Sequence, residues 1–152
     1  MARRKKTPTP IGWREWIVLP DLCPTPIKVK VDTGARTSAL HAFRLRVNDN
    51  GGQPYATFEI HPHQRSREDS VRVRADVIGY KRVRSSNGKA ERRPVIVTTA
   101  RMGDREWPIE VTLTRRQEMG YRMLLGRSAM RQAFTVNPGR SFLLGVPSEI
   151  EP

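Results

Sequence analysis

The sequence predicts an all-β, mostly strand-built fold, and three observations support this class. Apolar residues alternate with polar residues at a period of two along several short segments. Clusters of Gly, Pro, Asn, Asp and Ser separate these segments at regular intervals, which indicates a small closed barrel. Only residues 127 to about 134 have the composition of a helix, so we expect one short helix near the C-terminal end.

The chain length predicts the domain organisation. A chain of 152 residues is long enough for one domain with a sizeable core. Residues 1–10 hold four Lys or Arg residues and two prolines, and we expect a flexible basic arm there. The folded domain is predicted over residues 11–146, with a C-terminal tail at residues 147–152.

The alternating segments are interpreted as strands with one solvent-facing side. They cover residues 43–47, 56–60, 71–77 and 107–113. The continuous apolar run at residues 95–97 predicts a strand that is buried on both faces. Asn87-Gly88 predicts the tip of a hairpin, because both central positions of a type I′ turn need positive φ.

Targeting and compartment are predicted from the N-terminal residues and the cysteine count. The first residues are basic, but GWREW at 12–16 interrupts any apolar signal-peptide core, so we expect a cytoplasmic protein. Cys23 is the only cysteine, which fits a reducing compartment. No run approaches the roughly 20 apolar residues that a membrane-spanning helix needs, and we expect no membrane association.

The charge balance predicts an anionic partner. Lys and Arg number 28 against 15 Asp and Glu, which gives a formal net charge of +13. Nucleic acid is the commonest partner of so basic a small domain, followed by acidic polypeptide and anionic membrane surfaces. Charge alone does not choose among these partners.

One short motif carries the strongest indication of chemistry. Val29 and Val31 form an apolar strand that leads into Asp32-Thr33-Gly34-Ala35. A carboxylate at the end of a strand, next to a glycine that permits a tight turn, is typical of an active-site loop. The alternative is structural, with Asp32 capping the turn and Gly34 supplying the bend.

A second motif near the C-terminal end favours the catalytic interpretation. In the pepsin and retropepsin superfamily, a later strand of two apolar residues and a glycine crosses the catalytic strand, and a short helix follows. Leu124-Leu125-Gly126 followed by Arg127-Ser128-Ala129-Met130 resembles that element. The separation of about 90 residues from Asp32, with a predicted hairpin between, is similar to one retropepsin-like subunit, in which the hairpin is the flap.

Longer segments make the resemblance more specific. They are GWREW at 12–16, VDTGARTSALHA at 31–42 and MLLGR at 123–127. They resemble a bacterial family that is often labelled ATP-dependent zinc proteases and includes RimB-like proteins associated with glutamate ligases. The resemblance covers nearly all of residues 11–145 and implies a retropepsin-like acid-protease barrel with a flap hairpin.

The resemblance implies an aspartic peptidase that acts as a homodimer. Pepsin-type hydrolysis needs two carboxylates that share one proton, so that one acts as base and the other as acid. This chain has one such motif, and Asp32 must therefore meet Asp32 of a second copy across a two-fold axis. Thr33 is expected to link the two loops through its hydroxyl, and Gly34 to let the substrate backbone approach.

Arg36 departs from the retroviral pattern. Retroviral-type enzymes commonly have an acidic residue there, which pairs with the arginine that follows the later Leu-Gly. Arg36 and Arg127 cannot neutralise each other, which predicts a cleft that prefers acidic substrate. The predicted substrate contacts are Ala35, Arg36, Arg127 and the flap-tip residues Ser86, Asn87 and Gly88. Further positive charge is expected in the flap from Lys81, Arg82, Arg84, Lys89, Arg92 and Arg93.

The association with glutamate ligases implies the substrate and the partners. The resemblance implies trimming of poly-glutamate tails on a protein such as a small-subunit ribosomal protein. A glutamate ligase is the other implied partner. The alternative function is an RNA- or ribosome-binding module with a retropepsin-like fold and no catalysis, although the few aromatic residues do not alternate with basic ones as in a single-strand stacking platform.

Metal and nucleotide chemistry have little support in the sequence. His-Glu-x-x-His and a phosphate-binding Gly-x-x-x-x-Gly-Lys-Ser/Thr loop are both missing, so we expect no metal and no cofactor. His61-Pro62-His63 with Cys23 is the remaining ligand candidate, although a proline-broken pair is more typical of a surface turn. His41 is interpreted as a structural residue that hydrogen-bonds near the active loop. Ser38 has no nucleophile motif around it.

Overall fold

The computed structural model describes residues 7–84, 88–115, 120–131 and 133–147. These residues form twelve strands and one 3-10 helix, Arg127–Ala129. The strands are β1 (Thr9–Gly12), β2 (Arg14–Leu19), β3 (Cys23–Asp32), β4 (Ser38–His41), β5 (Phe43–Asn48), β6 (Tyr55–Ile60), β7 (Val71–Asp76), β8 (Gly79–Arg84), β9 (Ala90–Met102), β10 (Arg105–Thr114), β11 (Met123–Gly126) and β12 (Phe134–Asn137). The predicted all-β class is confirmed.

The strands form three sheets around one core. The largest has seven strands in the order β10-β4-β11-β3-β2-β9-β8, and β10 also pairs with β9. The order of pairings thus returns to β10, but the β2–β9 step rests on one residue pair, Val18 with Arg101. Closure into a barrel therefore stays a prediction. β5, β6 and β7 form a separate antiparallel sheet, and β1 pairs in parallel with β12.

Side-chain alternation explains which faces of the strands are buried. In β6, Ala56, Phe58 and Ile60 are all fully buried, as their period of two predicts. In β9, Ile96 is fully buried, whereas Val97 on the opposite face is 50% exposed. The prediction of a strand buried on both sides at residues 95–97 is therefore wrong at Val97, because that face of β9 is open to solvent.

The predicted helix over 127–134 is much shorter in the structure. Its α-helical continuation is replaced by the 3-10 helix and by β12, which starts at Phe134 beside Thr9 of β1. The 3-10 helix has no side-chain cap and no acidic residue in its first turn, so little stabilises a longer helix. Three residues are also too few to cross a membrane, and no other helix occurs in the described part of the chain.

A buried carboxylate joins the two ends of the domain. Glu15 in β2 is fully buried, and its oxygens accept the N–H groups of Gly12 at 2.7 Å, Leu143 at 2.8 Å and Leu144 at 3.2 Å. We call these four residues the Glu15 clamp. β1 begins at Thr9, so the last two residues of the predicted arm belong to the sheet, while the domain boundaries as a whole stay a prediction.

The hairpin that was predicted around Asn87-Gly88 is present. β8 and β9 pair antiparallel from Gly79 with Val95 to Arg84 with Ala90. Gly88 has the positive φ, +84°, that the turn prediction requires. Ser86 and Asn87, which were predicted to contact substrate, lie outside the described residues.

Candidate active site

Two parallel strands meet at the predicted catalytic residue. β3 ends at Asp32, which lies directly opposite Gly126 at the end of β11. Val31 is nearly buried and pairs with Leu125, which is fully buried. The apolar residues before each motif therefore fix the two strands in the core and place the Asp32 loop beside Gly126.

The loop holds the Asp32 carboxylate in a defined orientation. Asp32 Oδ1 accepts the N–H of Gly34 at 3.0 Å, and the Asp32 carbonyl accepts the N–H of Ala35 at 3.2 Å. The side chain is half-buried, and its Oδ2 accepts no hydrogen bond from the described residues. One oxygen is thus fixed by the loop, and the other is open to a substrate, a water molecule or a second carboxylate.

Gly126 is required at the point where the two motifs cross. A Cβ at this position would lie 2.5 Å from the Thr37 carbonyl carbon and 2.6 Å from its oxygen. The Gly126 N–H donates to Ser38 Oγ at 3.0 Å, and Ser38 is fully buried. Ser38 is therefore a positioning residue that the sequence reasoning missed, because nothing around it showed that its hydroxyl faces a backbone N–H across the core.

Arg127 also supports the loop. Its Nη1 donates to the carbonyls of Gly34 at 3.1 Å and Thr33 at 3.4 Å, and its N–H donates to Ala35 at 2.9 Å. Its guanidinium is thus bound to the active loop, which the sequence interpretation of Arg127 as a free substrate contact did not include. Arg36, in contrast, is exposed and has no ion-pair partner among the described residues.

The structure separates the predicted site residues into two groups. Thr33 and Gly34 are exposed and Ala35 is half-buried, so with Asp32 and Arg36 they form a continuous accessible loop. Gly88 is exposed in the hairpin between β8 and β9. The interlocking role of Thr33 requires a second chain and stays a prediction.

The basic residues of the hairpin are not equivalent. Arg93 is 1% exposed, and its Nε lies 3.1 Å from Glu91 Oε2. Its guanidinium therefore does not face an incoming substrate, and the prediction that it adds positive charge to the flap surface is wrong. Lys81 Nζ lies 3.6 Å from Glu110 Oε2. Arg92 packs over the ring of Tyr80 at 3.9 Å. The other predicted cations, Arg82, Arg84 and Lys89, are exposed.

The histidines and the cysteine do not form a common ligand set. Among the described residues, no group of three or more His, Cys, Asp or Glu side chains is placed to hold a metal ion. His61 pairs with Glu59 at 3.2 Å, His63 pairs with Asp69 at 2.8 Å, and burial raises the pKa of Cys23. His41, the last residue of β4, stacks on Phe43 at the start of β5, and its Nδ1 has no hydrogen-bond partner among the described residues, in contrast to the predicted hydrogen bond near the active loop.

Comparison with known proteins identifies similar chains. A family model described as "RimB-like: Retropepsin-like aspartic endopeptidase RimB" matches residues 10–146. A Legionella pneumophila protein of unknown function has a crystal structure with a TM-score of 0.74 and 26% identity, covering 90% of this chain and 98% of that one. The predicted retropepsin-like fold class is confirmed by the family match.

Curated relatives carry a different name. A protein of Shewanella halifaxensis named "Probable alpha-L-glutamate ligase" is 45% identical over 93% of this chain, and one of Parasynechococcus marenigrum with the same name is 43% identical over 89%. The chain spans 31% of the first relative and 29% of the second. It therefore corresponds to about a third of these longer proteins.

Proposed function

Because the chain belongs to the RimB-like family of retropepsin-like aspartic endopeptidases, we propose that it is an aspartic peptidase that trims acidic, glutamate-rich tails. The observation that carries the proposal is the state of Asp32. Its carboxylate stands at the β3–β11 crossing, with one oxygen fixed by the Gly34 N–H and the other open. A capping aspartate also leaves one oxygen in solvent, so the feature that favours catalysis is the position of this carboxylate, opposite Gly126 at the ends of two parallel strands whose preceding residues are buried.

The proposed catalytic unit is a homodimer. Two Asp32 carboxyls within hydrogen-bonding distance share one proton, because two like charges so close cannot both ionise. The ionised carboxylate takes a proton from water as the water attacks the peptide carbonyl, and the protonated carboxyl donates to the carbonyl oxygen. As the tetrahedral intermediate collapses and the C–N bond breaks, the newly protonated carboxyl donates its proton to the leaving nitrogen and the other carboxylate takes a hydroxyl proton from the intermediate. The dyad thus returns to its singly protonated state, and no covalent enzyme intermediate is needed.

The proposed substrate preference rests on charge at the loop and in the hairpin. Arg36 is exposed next to the Asp32 loop, and Arg82, Arg84 and Lys89 are exposed in the hairpin. The relatives are named for glutamate ligation, which supports a substrate that contains added glutamate. A small-subunit ribosomal protein is the proposed carrier of the tail, and a glutamate ligase the proposed functional partner.

The test follows hydrolysis of a peptide with an oligo-glutamate tail by mass spectrometry. Asp32→Asn is expected to lower the rate at least about a hundredfold, the range that general acid–base groups contribute. The matched control is Asp21→Asn, which changes an exposed aspartate in the turn between β2 and β3 and is expected to retain full activity. A neutral peptide of equal length is expected to be cleaved more slowly.

Subunit mixing tests the shared site. Adding an excess of the Asp32→Asn chain to the wild-type chain is expected to suppress activity, because mixed dimers have only one aspartate in the dyad. Unchanged activity of Asp32→Asn, or turnover by a strictly monomeric preparation, would contradict the proposal. RNA binding without any Asp32-dependent hydrolysis would instead support the non-catalytic binding module.

A further inference from the structure

A basic cavity lies on the part of the domain formed by β4, β5, β7 and the end of β10. It has a volume of about 620 Å³. We call it the arginine cavity; its charged and aromatic lining consists of His41, Phe43, Arg44, Arg46, Arg72 and Arg115. Four arginines around one opening make it strongly positive, and a cleft lined by one sign of charge concentrates ligands of the opposite sign, so the lining favours an anionic occupant.

The charges of the cavity are only partly compensated. Glu59 Oε2 lies 3.4 Å from Arg44 Nε and 3.9 Å from Arg72 Nη1, so one carboxylate serves two arginines. Arg115 Nη2 donates to the Leu45 carbonyl at 2.8 Å, which orients its guanidinium without neutralising it. Arg46 is exposed and has no ion-pair partner in the described part of the chain.

The backbone of the cavity is locally strained. Arg44 has a φ of +53°, in the left-handed region that side chains other than glycine rarely adopt. The β5–β6 register also shifts between Phe43 and Arg46, which marks a bulge. Bulges and strained residues redirect side chains and concentrate at binding sites. The strain at Arg44 is therefore consistent with a site that holds the arginines in a defined arrangement.

The aromatic residues near the cavity favour a polypeptide over a nucleic acid. Phe43 is stacked between His41 at 4.0 Å and His61 at 3.7 Å, so neither face can receive a base. On the same sheet, Arg74 covers the ring of Tyr55 at 3.6 Å. Single-stranded nucleic acid binding relies on open aromatic faces, whereas carboxylates need only the guanidinium groups.

We propose that the arginine cavity is a second binding site for the acidic polypeptide, several residues away from the bond that is cut. This proposal rests on the proposed function. β4 connects the two places: Ser38 binds the Gly126 N–H beside Asp32, and His41 lines the cavity. The three steps between Ser38 and His41 span about 10 Å at the rise of a β-strand. A tail must therefore be several residues long to engage both sites.

Binding is measured in the Asp32→Asn background, so that the readout does not depend on hydrolysis. The probe is a fluorescein-labelled oligo-glutamate of about ten residues, which can span both sites at roughly 3.3 Å per residue. Adding Arg46→Gln is expected to weaken its binding about tenfold, the effect of one charge-assisted hydrogen bond. A probe of two residues spans at most about 7 Å, which is less than the separation of the two places, so its affinity is expected to change less.

Arg101→Gln is the matched control for removal of one strand arginine. Arg101 lies opposite Glu106 in the β9–β10 strand register, and Glu106 is about 30 Å along the strand from Arg115 at the rise of a β-strand. Arg101→Gln is therefore expected to leave binding of the long probe unchanged. Equal losses in Arg46→Gln and Arg101→Gln would show a general charge effect and overturn the proposal. Weaker binding of a single-stranded RNA of equal charge, with unchanged binding of oligo-glutamate, would also overturn it.

The two proposals fail in different ways. With the active chain, Arg46→Gln is expected to raise KM for the long tail and to leave kcat and cleavage of the short tail unchanged. If Arg46→Gln weakens long-tail binding in the Asp32→Asn background but the wild type hydrolyses no substrate, the peptidase proposal fails and the binding-site proposal stands. Full hydrolysis with no effect of Arg46→Gln on long-tail binding would remove the site alone.

Discussion

At the scale of single residues, the site depends on the absence of a side chain at Gly126. Its backbone lies against Thr37 and Ser38, and its N–H is bound by the buried Ser38 hydroxyl. The end of β11 lies close to the Thr37–Ser38 backbone, where β4 begins, because position 126 carries no Cβ. Any larger residue must move the strand that aligns Asp32.

We therefore expect Gly126→Ala to lower the free energy of unfolding by about 1–3 kcal/mol, the usual cost of inserting a methyl group into a packed core. The rate in the hydrolysis assay should fall by more than the loss of folded protein explains, because the shift of the strand displaces Asp32. Urea unfolding and the hydrolysis assay measure the two effects. Gly79→Ala is the control, since a Cβ there meets nothing within 4 Å. Equal behaviour of the two variants would contradict this account of Gly126.

Local sequence patterns predicted the position of the candidate catalytic loop but not the residues that support it. Asp32 and Gly126 could be identified because each lies in a short motif after apolar strand residues. Ser38 and Arg127 act through contacts with residues that are distant in the sequence: Gly126 is 88 positions from Ser38, and Gly34 is 93 positions from Arg127. The direction of a hydroxyl or guanidinium over such a separation depends on the packed fold, which a linear pattern does not contain.

At the scale of elements, the ends of β4, β5 and β6 are joined by a column of rings. His41 stacks on Phe43, and Phe43 stacks on His61. Burial, followed by the charge of Arg122, lowers the pKa of His41 from its ordinary value of 6.5. Its Nδ1 is buried and has no hydrogen-bond partner among the described residues. The neutral imidazole is thus the form that the folded protein accommodates.

A lowered pKa in the folded state makes stability depend on pH with a defined sign. The contribution of His41 is present above its unfolded pKa of about 6.5 and is lost as the pH falls toward the folded value. The free energy of unfolding should therefore fall more between about pH 7.5 and about pH 5 in the wild type than in His41→Gln. Urea titrations at both pH values measure the difference.

The control for this prediction is His63→Gln, in which a 40% exposed imidazole is replaced. In His63→Gln the free energy of unfolding should fall between the two pH values as much as it does in the wild type, whereas in His41→Gln it should fall less. The same pH dependence in His41→Gln and the wild type would show that the ring column does not resist protonation.

Strand positions were more predictable than helix length for a physical reason. The period of two in β6 and β10 is local, and the structure confirms both strands. The segment after Arg127 is instead determined by pairing of Phe134 with Thr9, at the other end of the chain. Helix propensity over a few residues is weak compared with tertiary pairing, so the short helix was overestimated.

At the scale of the whole molecule, the Glu15 clamp connects the N-terminal and C-terminal segments. A fully buried carboxylate is stable there because three backbone N–H groups satisfy it. The surrounding motif acts in the same direction: the Trp13 N–H donates to the Arg140 carbonyl, and the Phe142 N–H donates to the Arg14 carbonyl. The GWREW segment thus holds residues 140–144 against β1 and β2 through backbone and carboxylate hydrogen bonds.

We expect Glu15→Gln to lower the free energy of unfolding by about 1.5–3 kcal/mol, the contribution of a hydrogen bond to a charged group. The amide nitrogen would face an N–H donor where the carboxylate now accepts one. Urea unfolding measures the loss. Glu110→Gln, at a 53% exposed carboxylate beside Lys81, should change stability by less than about 1 kcal/mol. Comparable losses in both variants would contradict a special role for the clamp.

The loop around Asp32 has a further consequence for the order of folding. Thr33 and Arg127, which are bound to each other in this loop, are 94 positions apart. Contacts of such high separation form late and slowly in a folding chain. During synthesis, the Asp32 loop cannot be completed until Arg127 has been made and released. We therefore expect the loop that carries Asp32 to stay incomplete in the nascent chain until translation of the domain is almost finished.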